Sequence, residues 1–200
     1  MRIGVRAGDD QWQALNNQQG KVDCFRLNSD DGMSKDLDAY LLLSDGPEFD
    51  FTTTSKPIFI NSVNVTLTEL NAPINVLRIN GWNSFLTRNT WEISGTITDA
   101  VLQIFLELGK QLVQVPDVPG FVSARVIAMI INEAYFTLED KVSTKEEIDI
   151  AMKLGTNYPY GPFEWSALIG ADKIFALLQK LSLHDKRYSP SKLLKEAATI

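Results

Sequence analysis

PGFVSARVIAMIINEAYFTLEDK, residues 119–141, is the stretch on which the fold turns. It opens on a Pro-Gly pair, where a helix can start, and then carries apolar side chains around most of a helical circumference. A helix of that kind is covered on several sides, inside a bundle or at a subunit interface. Its neighbours read the same way. STKEEIDIAMKLG (143–155) opens with a capping box from Ser143 to Glu146 and closes at Gly155. GPFEWSALIGADKIFALLQKLS (161–182) gives two short helices broken near Gly170. TDAVLQIFLELG (98–109) has Thr98 as N-cap and Gly109 as stop. The spacing therefore predicts an all-helical part from residue 96 to 185, followed over 186–200 by a tail or a final docked helix.

Before residue 96 the period changes from helical to alternating. RIGVRA (2–7), KVDCFRL (21–27), AYLLLS (39–44), KPIFIN (56–61), NVLRIN (75–80) and NTWEIS (89–94) read as strands. DDQWQALNNQQ (9–19) and TLTEL (66–70) read as helical pieces, and SDGPEFDFTTTSKP (44–57) as mostly loop. Strand, helix, strand in series implies a mainly parallel sheet. The fold class is α/β plus all-α: a short Rossmann-like domain over 1–95, then helices.

Composition narrows the function classes. A net charge of -6 and a pI near 4.8 argue against nucleic-acid or anionic-membrane partners, which select basic surfaces. There is no run of 18 apolar residues and no signal-peptide pattern, so a cytoplasmic location is expected, with no membrane partner. The single cysteine, Cys24, cannot form an internal disulfide, and no Cys/His cluster suggests a metal. His184 is the only histidine and lies in a polar stretch, so a surface position is expected.

The segment VPDVPGFVSARVIAMIINEAYFTLEDKVSTKEEIDIAMKLGTNYPYGPFEWSALIGAD (115–172) resembles the C-terminal domain of 3-hydroxyacyl-CoA dehydrogenases. The collinear matches are Asp117, Pro119-Gly120-Phe121, Arg125, Asn132-Glu133-Ala134, Ile148-Asp149, Ala151-Met152, Gly155, Pro159, Gly161-Pro162 and Ile169-Gly170. With the segment before it, the resemblance covers about 96–182. It extends more weakly into INGWNSFLTRNTWEI (79–93). There the family has a catalytic His with a Glu twelve residues later. In this chain those positions are Asn80 and Glu92, and Asn83 matches a family Asn three residues after the His. The family's substrate-binding Ser aligns with Val63, beside Ser62, and its Asn before Arg125 aligns with Ala124.

The resemblance implies the following site. The family's His takes a proton from the 3-hydroxyl while hydride passes to NAD, and the Glu orients the His. A carboxamide cannot accept that proton at neutral pH, and loss of a general base typically costs ~10²–10⁴-fold in rate. Glu92 is a remnant of the pair, with Asn80 at the His position and Asn83 and Ser62 as substrate-binding candidates. Glu92 also reads as a strand-end carboxylate paired with Arg88 or Arg78. The first strand–helix turn, GVRAGDDQW (4–12), carries Gly4 and Gly8 at the wrong spacing for a pyrophosphate turn, and Asp9 and Asp10 would repel one. A ribose-binding acid would have to be Asp30 or Asp31. The expectation is a catalytically degenerate relative with no cofactor, dimeric through its helical domain, taking an acyl-CoA ligand or a protein partner. The alternative is an active NAD-dependent 3-hydroxyacyl-CoA dehydrogenase with an atypical site.

Overall fold

In the computed structural model the described residues are 1–16, 21–27, 36–44 and 50–199. They form two units, Met1–Phe121 and Val122–Ile200. The first is built on a seven-stranded sheet in the order β2-β1-β3-β4-β5-β6-β7. Its strands are β1 (Arg2–Arg6), β2 (Asp23–Arg26), β3 (Ala39–Leu42), β4 (Ile58–Asn61), β5 (Val76–Ile79), β6 (Thr90–Ser94) and β7 (Gln111–Gln114). All neighbours are parallel except β5 and β6, which a tight connection turns antiparallel. Two helices belong to this unit, α1 (Asp9–Asn16) and α2 (Asp99–Glu107).

The strands alternate their side chains between two covered faces. Ile3, Val5, Leu41, Phe59, Leu77, Ile79 and Ile93 gather with Leu15 of α1 and Val101, Ile104 and Phe105 of α2. Tyr40, Leu42, Ile58, Ile60 and Val76 form a second cluster with Leu37. Each such side chain is worth about 1.5–3 kcal/mol when fully buried, so both faces drive the sheet together. Phe105 packs edge-on against Phe59 and Trp91, at 5.7 and 5.9 Å between ring centroids.

The second unit holds α3 (Val122–Glu139), α4 (Lys145–Thr156), α5 (Pro162–Ile169), α6 (Ala171–Ser182) and α7 (Lys192–Ala197). Ala124, Ile127, Ala128, Ile131 and Tyr135 form the buried side of α3, against which α5, α6 and α7 pack. Tyr135 meets Phe163 edge-on at 5.0 Å, and its hydroxyl lies 3.2 Å from the Ser166 hydroxyl. The long helix is not covered all round by this chain: Val122 and Val126 stay exposed, one helical turn apart.

Several expectations change. The chain does not divide at residue 95. The β7 strand, which the sequence reading placed in a helical part, pairs in parallel with β6, and α2 packs on the same sheet, so the first unit runs on to Phe121. Of the two readings of residues 186–199, the docked helix is the one found. Asn132 donates to the Ser189 carbonyl (2.9 Å) and accepts from the Ser191 amide (2.8 Å), and Leu194 of α7 is fully buried. The capping box of α4 is one residue further on. Thr144 and Glu147 form it, while the Ser143 hydroxyl reinforces the Glu147 carboxylate at 2.6 Å. TLTEL is a run of turns, not a helix. The breaks at Gly170 and Thr98 stand as expected, with Thr98 accepting from the Val101 amide. No described helix is long and apolar enough to cross a membrane.

Candidate functional site

In an open parallel sheet, ligands bind at the carboxyl ends of the strands. In this chain that edge is defined by the residues after β1, β3, β4 and β5, namely Gly8, Leu43, Asn61 and Gly81. It is held by carboxamides. Gln11, in the first turn of α1, donates from Nε2 to the Leu43 carbonyl (3.1 Å) and the Gly81 carbonyl (2.9 Å). Its Oε1 accepts from the Gly8 amide at 3.2 Å. Asn61 donates to the same Leu43 carbonyl (3.0 Å) and accepts from the Gly81 amide (2.9 Å). Two side chains thus tie β1, β3, β4 and β5 together at the edge where a ligand is expected.

Asn80 directly follows β5, and Glu92 lies within β6. The antiparallel register of β5 and β6 pairs Arg78 with Ser94 and Ile79 with Ile93. The next step in that register sets Asn80 opposite Glu92. Asn80 is buried, and its Oδ1 faces the Trp82 amide at 3.3 Å. Glu92 is half-buried and acts on Arg88, whose guanidinium burial pushes down in pKa and Glu92 pushes back up. Of the two arginines proposed as partners of Glu92, Arg88 feels its charge, while Arg78 is bound to Asp117.

The turn between β5 and β6 carries Asn83, which is half-buried, and is fixed from below. Lys110 donates to the carbonyls of Leu86 (3.1 Å) and Arg88 (2.6 Å), with its ammonium 5.2 Å from the Trp91 ring centre. Burial pushes the Lys110 amine below its ordinary pKa. Trp91 donates to the Leu86 carbonyl as well. Trp82 and Phe85 pack edge-on, and Arg88 lies over Phe85 at 4.1 Å.

Ser62 is engaged within its own loop. Its hydroxyl donates to the Val65 carbonyl at 2.7 Å, closing its own loop. The backbone on either side belongs to Arg78. This guanidinium is 0% exposed and donates to the carbonyls of Ser62 (2.7 Å) and Val63 (3.0 Å) and to Asp117 (2.6 Å), and it stacks 4.8 Å from the Phe121 ring centre. Asp117 in turn accepts from the Leu67 and Thr68 amides, both at 3.1 Å. Burial of Asp117 raises its pKa, but Arg78 and the two amides outweigh it and hold the carboxyl below its usual range. Val63, at the substrate-serine position, is buried, and Ala124 is fully buried on α3. His184 is exposed, as expected.

The turn of β1 into α1 places its two glycines differently from a pyrophosphate-binding turn. Gly4 is not a turn residue; it lies inside β1, where a Cβ would meet Leu37 and Leu27 at 2.7 and 2.9 Å. Gly8 is the turn glycine, and its amide is taken by Gln11. Asp9 holds the helix start with its carboxylate 2.6 Å from Arg26, an exposed pair worth about 0–1 kcal/mol. Arg26, at the end of β2, also donates to the Ala7 carbonyl at 3.2 Å and so spans the turn. Asp30 and Asp31 lie outside the described residues.

The sequence reading missed Gln11 and Asn61, and named Arg78 only as a partner for Glu92. Gln11 stands three residues after Gly8, the spacing of half a capping box, which is the signal that was available. Arg78 in an apolar strand was a second signal, because a fully buried arginine requires several acceptors around it.

Residues 120–199 match the model of the 3-hydroxyacyl-CoA dehydrogenase C-terminal domain. These residues belong to the 3-hydroxyacyl-CoA dehydrogenase family. A 3-hydroxyadipyl-CoA dehydrogenase of Escherichia coli is 45% identical over 94 residues, 46% of this chain and 20% of that protein. A 3-hydroxybutyryl-CoA dehydrogenase of Bradyrhizobium diazoefficiens is 39% identical over 109 residues, 51% of this chain and 37% of that protein. The chain thus matches well under half the length of either relative. The crystal structure of (S)-3-hydroxybutyryl-CoA dehydrogenase from Ralstonia eutropha superposes with a TM-score of 0.66 at 24% identity, over 88% of this chain and 69% of that one. That likeness establishes the Rossmann-like-plus-helical fold, while the family-model match lies in the helical part.

Proposed function

We propose that this chain is a 3-hydroxyacyl-CoA dehydrogenase relative that binds an acyl-CoA-type ligand or a protein partner without transferring hydride. The observation that carries the reading is the residue set opposite Glu92. Asn80 stands there, and a carboxamide can hold a carbonyl oxygen but cannot take a proton near neutral pH. The serine and asparagine that would position substrate are replaced by the buried Val63 and Ala124, and the Ser62 hydroxyl is spent on Val65. On this reading the protein needs no NAD, and it assembles as a homodimer through its helical unit.

A second reading is an active NAD-dependent dehydrogenase. It is favoured by the activities for which the relatives at 39–45% identity are named and by the retention of Glu92. Turnover separates the two. Protein mixed with NADH and acetoacetyl-CoA should consume NADH no faster than a protein-free control. Thermal melting with a panel of acyl-CoA thioesters should show saturable stabilisation by at least one of them. Sustained NADH oxidation proportional to enzyme concentration would establish the second reading and remove the first.

A further inference from the structure

The disagreement between the fold and its expected dinucleotide has a specific residue behind it. We infer that Gln11 is the specificity-determining residue that closes the dinucleotide crevice, its carboxamide standing where the ligand's oxygen would be. The inference deepens the reading above and rests on it, because it explains how a chain of this fold excludes NAD.

The argument begins at the Gly8 amide. In a strand–turn–helix unit, the amides at the turn and first helical residues are the donors that receive a pyrophosphate. Gln11 Oε1 takes the Gly8 donor at 3.2 Å. A capping contact of that kind would be local by itself. What makes it a closure is the other end of the same side chain. Nε2 reaches across the sheet to the Leu43 and Gly81 carbonyls, at 3.1 and 2.9 Å. Those carbonyls end β3 and begin the turn after β5, and the strand between them, β4, adds Asn61 to the same pair of residues. One carboxamide therefore joins the turn that should hold the phosphates to the strand ends over which the rest of a dinucleotide should lie. A ligand entering there has to break three hydrogen bonds of Gln11, and the carbonyls it frees are acceptors that repel phosphate oxygens. The turn adds its own bar: Asp9 presents a carboxylate, and the Arg26 guanidinium beside it is already held by Asp9 and Ala7.

The test is fluorescence titration of NADH into the full chain and into Gln11→Ala, each checked by circular dichroism and thermal melting. The wild-type chain should show no saturable signal up to millimolar NADH. Gln11→Ala should bind NADH at least about tenfold more tightly than the wild type. A folded Gln11→Ala that binds no better than wild type overturns the inference and leaves the non-oxidoreductase reading intact. Micromolar binding by the wild type overturns the inference, and with turnover it overturns that reading too. If Gln11→Ala does not fold, Gln11→Ser, which keeps a cap acceptor but cannot reach Leu43 or Gly81, carries the same comparison.

Discussion

At the scale of single residues, the chain spends its polar groups on itself. Arg78 is the clearest case. A fully buried guanidinium survives only because four carbonyl or carboxylate acceptors surround it, and Asp117 supplies the charge. Removing one partner of such a pair leaves the other uncompensated, which costs about 3–5 kcal/mol when both are buried. Asp117 is partly solvated, so Asp117→Asn should fall near the low end, about 3 kcal/mol by urea unfolding at neutral pH. The same pair sets a pH dependence. The carboxyl of Asp117 is lowered in the folded state, so its contribution is fully present above the ordinary carboxylate value and is lost as pH falls through the folded one. Wild-type melting temperature should therefore drop more steeply than that of Asp117→Asn below about pH 4. Parallel acid limbs for the two proteins would mean that Arg78 does not depend on this charge.

At the scale of elements, what the sequence revealed depended on the range of the force that fixes each piece. Helices α2, α3, α5 and α6 were legible because caps, glycine stops and periodicity are local. The β7 strand was not, because its burial pattern is mostly exposed and its only instruction to be a strand is pairing with β6. The twelve-residue spacing of Asn80 and Glu92 was legible, whereas the antiparallel pairing of β5 with β6 beside it was not. Gln11 and Asn61 were illegible as a pair, since nothing in their local sequence says that the ends of β3 and β5 will come within reach. One local device is sharply testable. The Asp149 carboxylate caps α5 by accepting from the Phe163 (2.8 Å) and Glu164 (3.2 Å) amides, and it does so by lying against Gly161, where a Cβ would collide with it. Gly161→Ala should expel that cap and cost about 1–3 kcal/mol. Chemical denaturation would read it, and an unchanged midpoint would show that Asp149 has another place to go.

At the scale of the whole molecule, the strongest unspent feature is the long helix that decides the fold. Its apolar character exceeds what its own chain covers. Val126 remains 53% exposed and Val122 60%, and Phe136, two to three turns further on, is also exposed. On α3 these residues lie at spacings of four and ten, which keeps them along one stripe. A stripe of that kind on the longest helix of the unit, left in water, costs roughly 25 cal/mol per Å² relative to burial, and a second copy of the same stripe would remove that cost by two-fold pairing. The expected outcome is a particle of twice 22.4 kDa by light scattering. Val126→Glu places two carboxylates face to face in such a pairing and should shift the protein to its single-chain mass, with the helical circular-dichroism signal retained. A wild-type protein that runs as a single chain, or a Val126→Glu protein that keeps the double mass, would place this stripe outside any interface between copies and leave it for a partner of different sequence.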